Sequence, residues 1–271
     1  MLSYRCLDPS IMTSDVINSS HSTIIMSGTL TPTSMFTELL GMKNSDEEVF
    51  DSPFPPENKL NMIVPTVSTK FSLRNDAEFK KIAESCAKIT NSVPGNCAVF
   101  FPSYHLLSLV SKSFDTLSEK TIIKESQGLT KQEKTEILET FKGYKANGAV
   151  LLGVISGSFG EGIDLPGDFL KCVVIVGLPL SQPDLEAKSL IEYYDKKFHK
   201  GWEYGYIAPA FNKAFQCAGR CIRSETDKGI IVFLDQRYTW ENYYKYFPKD
   251  WHMMVTTKPE ERIKEFYENN H

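Results

Sequence analysis

Ala149-Val150-Leu151-Leu152-Gly153-Val154-Ile155 runs straight into Ser156-Gly157-Ser158-Phe159-Gly160-Glu161-Gly162-Ile163-Asp164. An unbroken apolar run of this length, bounded by glycine and serine, reads as a strand buried on both faces. The Gly-rich loop Ser156–Gly167 follows at its carboxyl end. Small and hydroxyl residues there let backbone N–H groups approach phosphate oxygens, although Gly and Ser also simply make turns.

The pattern repeats outward. Cys97–Phe101, Thr121–Ile123, Cys172–Val176 and Gly229–Asp235 read as strands, and Ser22–Met26 as a further buried strand. Asp76–Thr90 predicts a helix with Phe79, Ile82, Ala83 and Cys86 on one face. Further helices are expected from Pro102-Ser103 through Val110, from the capping box at Thr130 to Tyr144, over Pro183–Lys197, and from near Ser34. The tail from Trp240 predicts two short helices, the second starting near Pro259. Residues 41–69 read as a long irregular connection and residues 199–207 as a loop. Apolar strands alternating with amphipathic helices specify an α/β fold, a parallel sheet with helices on both faces. One domain with an N-terminal extension is expected.

Composition narrows the function. The 271 residues carry a net charge of -4, with 41% hydrophobic and 24% charged residues. That balance suits a soluble globular protein and excludes a globally basic surface, so any polyanion must meet local clusters. No apolar run approaches the length of a membrane span, and no signal peptide is evident. The six cysteines are scattered, several in apolar segments as buried thiols of a reducing compartment are. Cys217 and Cys221 lie one helical turn apart, but no second pair completes four ligands, so no metal site is assigned.

The polar cluster is Phe215-Gln216-Cys217-Ala218-Gly219-Arg220-Cys221-Ile222-Arg223. Read as a helix, it places Gln216, Gly219, Arg220 and Arg223 on one face and Phe211, Phe215, Ala218 and Ile222 on another. Two guanidiniums beside a glycine suit a polyanion; a solvated polar face is the ordinary alternative. Ser27-Gly28-Thr29, Pro102-Ser103-Tyr104 and Asp235-Gln236-Arg237 also follow strands, where α/β sheets gather ligands. There is no G-x-x-x-x-G-K-[ST] loop, no acidic Mg²⁺ tetrad and no H-E-x-x-H, and the glycines near 157 space as G-x-x-G-x-G. Nothing here cradles a triphosphate and its metal alone. Trp202, between Gly201 and Glu203, either stacks on an unpaired base or anchors its loop. Arg237 either contacts phosphate or pairs with Asp235. Lys196, Lys197 and Lys200 either add basic potential or form a solvated helix end.

Gln216–Arg223 resembles motif VI (Q-x-x-G-R-x-x-R) of the XPD family of superfamily 2 DNA helicases. Phe159–Asp164 resembles that family's motif V, Phe100–Tyr104 its motif IV, Ser27–Leu30 its motif III, and Val232–Arg237 the strand after motif VI. The motifs occur in family order across roughly residues 5 to 250. The resemblance implies a RecA-like second motor lobe over 1–250, with a C-terminal helical tail over 251–271. It also implies a piece of a longer protein. Walker A and B, a [4Fe-4S] cluster and an arch domain would lie in the part absent here, and ATP with Mg²⁺ would be shared with that first lobe.

The resemblance assigns roles residue by residue. Arg220 and Arg223, placed by Gln216 beside Gly219, would act as arginine fingers on the ATP phosphates. Gly157, Gly160 and Gly162 would allow close backbone approach, with Glu161 and Asp164 bonding across the cleft or orienting an arginine. Ser103, Tyr104, Gly157 and Ser158 would touch DNA; on physical grounds apart from the resemblance, Trp202 and Arg237, with Asp235 beside it, are candidates to join them. Ser27 and Thr29 would link the lobes. The run Ile155–Ser158 lacks the basic residue that many relatives carry, so no side-chain phosphate contact is expected there. The implied activity is an ATP-dependent 5′–3′ DNA helicase of nucleotide excision repair, inactive as this chain alone, with Arg220 and Arg223 exposed and idle. The implied partners are single-stranded DNA and the first lobe; the protein would be a monomer with no membrane association. It would be intracellular, cytoplasmic in a prokaryote (favoured) or nuclear in a eukaryote. The alternatives are a non-catalytic nucleic-acid-binding or partner-docking lobe, and an unrelated α/β enzyme acting on a phosphorylated small molecule.

Overall fold

A computed structural model describes residues 4–160, 165, 167–180 and 183–268. In chain order the helices are α1 (Ser10–Ser19), α2 (Thr33–Leu40), α3 (Asp76–Ser92), α4 (Tyr104–Leu117), α5 (Lys131–Gly143), α6 (Leu185–Phe198), α7 (Ala208–Ala218), α8 (Glu241–Tyr244) and α9 (Pro259–Glu268). The strands are β1 (Lys59–Ile63), β2 (Cys97–Phe101), β3 (Thr121–Lys124), β4 (Ala149–Val154), β5 (Cys172–Val176), β6 (Gly229–Leu234) and β7 (Met254–Val255).

Two compact units emerge, one from residues 1–51 with 180–212 and one from 52–179 with 213–271. The second contains a seven-stranded sheet among the described residues, ordered β3-β4-β2-β5-β6-β1-β7 with parallel pairing throughout. Every residue of β2, β4, β5 and β6 is buried, because helices cover both faces. On one face Val99, Phe101, Leu152, Val174 and Val232 meet Ile82 and Cys86 of α3, Val110 and Phe114 of α4, and Ile263 of α9. On the other face Phe233 meets Phe215 of α7 edge-on at 5.9 Å, with Phe247 at 4.8 Å. Side-chain caps start the helices where the sequence places them: Asn75 for α3, Ser103 for α4 and a complete capping box at Thr130 and Glu133 for α5.

Several assignments change. Ser22–Met26 is irregular, and Ile24 and Met26 are each 81% exposed. An apolar run becomes a strand only when a ladder receives it. The sheet's first strand is instead β1, inside the stretch expected to be an irregular connection. Asn61 hides it in the sequence; buried at the strand centre, it donates from Nδ2 to the Trp251 carbonyl at 2.6 Å. The expected tail also belongs to this unit: β7 pairs with β1, and Ile263 of α9 is fully buried.

In the other unit, α6 is capped by Asp184. Residues 199–207 are not a loop. A helical run begins at Gly201, passes through a π turn at Glu203–Ile207 and continues as α7. Pro209 lacks the N–H that a regular turn would donate to Gly205, which accounts for the widened turn. Gly201 and Gly205 lie one turn apart against α6: a Cβ on Gly201 would sit 2.3 Å from the Ile191 carbonyl oxygen, and one on Gly205 2.9 Å from the Ile191 nitrogen. These glycines permit close helix packing rather than loop freedom.

Candidate functional site

The carboxyl ends of β2, β4 and β6 carry most of the sequence-predicted site, within the sheet unit. At β4 the chain turns sharply through Ser156–Gly160. A Cβ on Gly160 would lie 1.9 Å from the Ile155 carbonyl oxygen, so only glycine fits this turn. The Gly160 carbonyl in turn accepts from the Cys217 thiol at 3.0 Å and from Arg220 Nη2 at 2.7 Å. The loop after β4 is thereby joined to the last turn of α7 and to the turn that follows it. Gly160→Ala is expected to cost about 3 kcal/mol of unfolding free energy in urea titration, because backbone would have to move. A loss within about 0.5 kcal/mol would show that the turn adapts freely.

The polar cluster is not one continuous helix. α7 ends at Ala218; Gly219 N–H still reaches the Phe215 carbonyl at 2.9 Å, but Arg220 N–H turns back to the Ala218 carbonyl at 2.8 Å. Gln216, Gly219 and Arg223 are exposed, whereas Arg220 is 5% exposed. The expectation that both arginines lie in solvent therefore fails for Arg220. The tight turn after Gly219 directs its guanidinium inward to Gly160. Asp227 holds the following loop by accepting Arg223 N–H at 2.8 Å and Ser224 N–H at 2.9 Å. Phe215, Ala218 and Ile222 are buried, as the apolar face requires. Glu161, Gly162 and Asp164 lie outside the described residues.

At β2, Ser103 is exposed and its hydroxyl caps α4 by accepting Leu106 N–H at 3.2 Å. Tyr104 points inward. Its hydroxyl donates to Glu125 Oε1 at 2.8 Å, and burial together with that bond pushes the phenol up to about 12. Glu125 Oε2 accepts Val154 N–H at 2.9 Å, and Oε1 also accepts Ser158 N–H. A Cβ on Gly157 would lie 2.4 Å from Glu125 Oε1, so the glycine makes room for a carboxylate. Sequence reading missed Glu125, which looks like any polar residue after a strand.

At β6, Asp235 is fully buried. It accepts Arg237 Nε at 2.9 Å and Nη2 at 2.8 Å, the Arg237 N–H at 2.9 Å, and the Thr69 N–H at 2.8 Å. Arg237 Nη2 also reaches the Thr69 hydroxyl at 2.7 Å. Of the two sequence readings for Arg237, the geometry favours the salt bridge over a phosphate contact: the planar guanidinium is spent on a buried carboxylate. Gly177, at φ 69°, completes the cluster, since a Cβ there would lie 2.2 Å from the Thr69 hydroxyl.

Ser27, Thr29 and Trp202 lie in the other unit. Ser27 is exposed and Thr29 half-buried, with Thr29 N–H on the Ser27 hydroxyl at 3.3 Å. Trp202 is 58% exposed and packs edge-on against Tyr206 at 5.5 Å. The lysines beside it are engaged within their unit: Lys197 pairs with Asp8 at 2.8 Å, and Lys200 with Glu38 at 2.9 Å and the Tyr204 hydroxyl at 2.8 Å. Those bonds to Tyr204 and Glu38 raise the Lys200 pKa. Pairing of Lys197 and Lys200 with carboxylates lowers the basic potential that these two could add. Among the described residues no helix is long and apolar enough to cross a membrane, and no cluster of three or more His, Cys, Asp or Glu is arranged to hold a metal ion.

Comparison with known proteins follows the same outline. The chain is 32% identical over 258 residues to the helicase subunit XPD of general transcription and DNA repair factor IIH from Schizosaccharomyces pombe, covering 88% of this chain and 33% of that protein. It is 28% identical over 259 residues to the XPD/RAD3 subunit from Saccharomyces cerevisiae, with the same coverage. It is also 28% identical over 244 residues to the 3′-5′ exonuclease DinG of Staphylococcus saprophyticus, covering 88% of this chain and 26% of that protein. The chain thus spans about a third or less of the curated relatives it matches. A solved apo structure of XPD superposes with a TM-score of 0.69 at 25% identity, over 92% of this chain and 52% of that one. The sheet is therefore RecA-like, as in the C-terminal lobe of XPD. The family model for the helicase C-terminal domain matches residues 86–254, from the middle of α3 to the start of β7, and on that match the chain belongs to the helicase C-terminal domain family.

Proposed function

We propose that this chain is the second motor lobe of an ATP-dependent helicase that moves 5′ to 3′ on single-stranded DNA in nucleotide excision repair. The observation that carries the reading is the Gly160 carbonyl, shared by Cys217 and Arg220. It ties the loop that would follow DNA to the residues that would sense ATP. Arg223, exposed at the end of that turn, suits a phosphoryl group in transfer; Gln216 and Gly219 share its exposure. Arg220 acts chiefly through Gly160. Glu161, Gly162 and Asp164 retain their proposed roles across the cleft, and Ser27 and Thr29 theirs in linking the lobes.

The sequence carries charge for an ATP phosphate but no phosphate-loop motif, and among the described residues no acidic cluster is arranged to hold a metal, so ATP and Mg²⁺ would be held mainly by a first lobe. When bound, the metal would neutralise charge on the transferring phosphoryl group. Among the described residues no three Cys, His, Asp or Glu are grouped to hold a metal, and the [4Fe-4S] cluster is assigned to that first lobe. Ser103, Gly157 and Ser158 would track the DNA backbone, and Trp202 would stack on a base. The names of the relatives support this reading, two of them DNA repair factor helicase subunits.

The test uses the chain with ATP and Mg²⁺, with and without single-stranded DNA. No turnover above background is expected. DNA-stimulated turnover that survives Arg223→Ala overturns the two-lobe reading. In the complete protein, Trp202→Ala is expected to weaken single-strand binding about tenfold with near-normal basal ATP turnover. Unchanged affinity assigns Trp202 to packing.

A further inference from the structure

We infer that Glu125 is a positioning residue that locks the loop after β2 to the loop after β4, so that the single-strand contacts proposed for both are made by one rigid surface. The contact surface rests on the helicase reading above; the lock itself does not. Glu125 is 4% exposed. Its N–H donates to the Leu152 carbonyl at 2.8 Å, which carries the β3–β4 ladder one step beyond the strand and fixes the side chain over the end of β4. The carboxylate then receives Tyr104 OH from the start of α4, Val154 N–H from the last residue of β4, and Ser158 N–H from the loop after β4. Two glycines leave space for it: a Cβ on Gly153 would lie 3.0 Å from Oε2, and one on Gly157 2.4 Å from Oε1.

A carboxylate buried among neutral donors is costly unless each lone pair is used. Among the described residues Glu125 forms no ion pair, so hydrogen bonds alone hold it, and these are directional. Because a carboxylate only accepts, it draws three donors inward, from the start of α4, the end of β4 and the loop after it. Ser103 and Ser156 on those loops stay exposed. The capped start of α4 and the Gly-rich turn therefore cannot shift independently without breaking a buried bond. Glutamine has the same size but replaces one acceptor with a donor, which would face Val154 N–H or Ser158 N–H.

The experiment compares the parent chain with Glu125→Gln, Tyr104→Phe and the double variant, well below their unfolding temperatures. Binding of a dye-labelled oligothymidylate is expected to weaken about tenfold in Glu125→Gln and about threefold in Tyr104→Phe, with the double variant no weaker than Glu125→Gln. A residue that only supports the core would lower the melting temperature and leave binding intact. Two readouts need no DNA. Tyr104→Phe, which removes nothing from the loop after β4, is expected to speed amide exchange at Val154 and Ser158. The Tyr104 phenol, followed by ring-carbon NMR, is expected to titrate nearer its ordinary value in Glu125→Gln. Unchanged exchange in Tyr104→Phe, or parent-like binding by Glu125→Gln, overturns the inference. A parent chain that binds no oligothymidylate counts against the helicase reading instead, and exchange and phenol titration still decide whether Glu125 is the lock. Should Glu125→Gln fail to fold, Tyr104→Phe alone carries the exchange test.

Discussion

Arg220→Ala and Arg223→Ala are expected to part company. Arg220→Ala should lower the unfolding free energy by about 3 kcal/mol, since it empties a buried site and takes a charge-assisted bond from the Gly160 carbonyl. Arg223→Ala, at an exposed position, should stay within about 0.5 kcal/mol of the parent. In the complete protein both should abolish ATP turnover, with a loss of at least about a thousandfold for Arg223→Ala. Single-strand binding should survive Arg223→Ala and fall in Arg220→Ala, because the loop carrying Gly157 and Ser158 loses its tether. Urea denaturation and ATP turnover measured on the same variants check the pattern. Equal stability losses, or full turnover by Arg223→Ala, would sink the division of labour.

Asp235→Ala is the second large effect. Asp235 is fully buried and accepts from both the backbone and the guanidinium of Arg237, and from both the backbone and the hydroxyl of Thr69. Removing it strands a guanidinium of which only 11% of the side chain is exposed. The expected cost is about 4 kcal/mol, the usual result of breaking one side of a buried ion pair. For a domain of this size that corresponds to a fall in Tm of about 10 °C. Asp235→Ala combined with Arg237→Ala should cost less than the sum of the two, as residues sharing one network do. Additive losses would mean that the pair is not the source of the stability. Calorimetry on four proteins, parent included, completes the cycle.

Much of the fold was legible because fully buried parallel strands are unbroken apolar runs. β2, β4, β5 and β6 needed no more than that. β1 was not legible, because Asn61 interrupts its apolar pattern and its hydrogen-bond partner, the Trp251 carbonyl, lies far along the chain. Ser22–Met26 failed in the opposite sense, as an apolar run with no ladder to join. At the site, periodicity grouped Gln216, Gly219, Arg220 and Arg223, and the early end of α7 separated them. Helical spacing is informative only while the helix lasts. Asp235 with Arg237 was foreseen as a possible salt bridge from adjacency. Glu125 and Asp227 were not foreseen: each takes its meaning from backbone N–H groups, which no side-chain pattern records.

The π turn at Glu203–Ile207 bears on how such chains are compared. A π turn holds one residue more than the α-helical turn it replaces. Deleting a single residue between 203 and 207 would restore regular winding and leave Trp202 and the turn that begins at Ala208 facing nearly as they do now, because the widened turn absorbs its extra residue within one revolution. Two homologues that differ by that one gap would keep the same faces before and after it, yet display different side chains on the turn between. Indels in this short window therefore deserve more weight than substitutions when the specificity of related lobes is traced through their lineage.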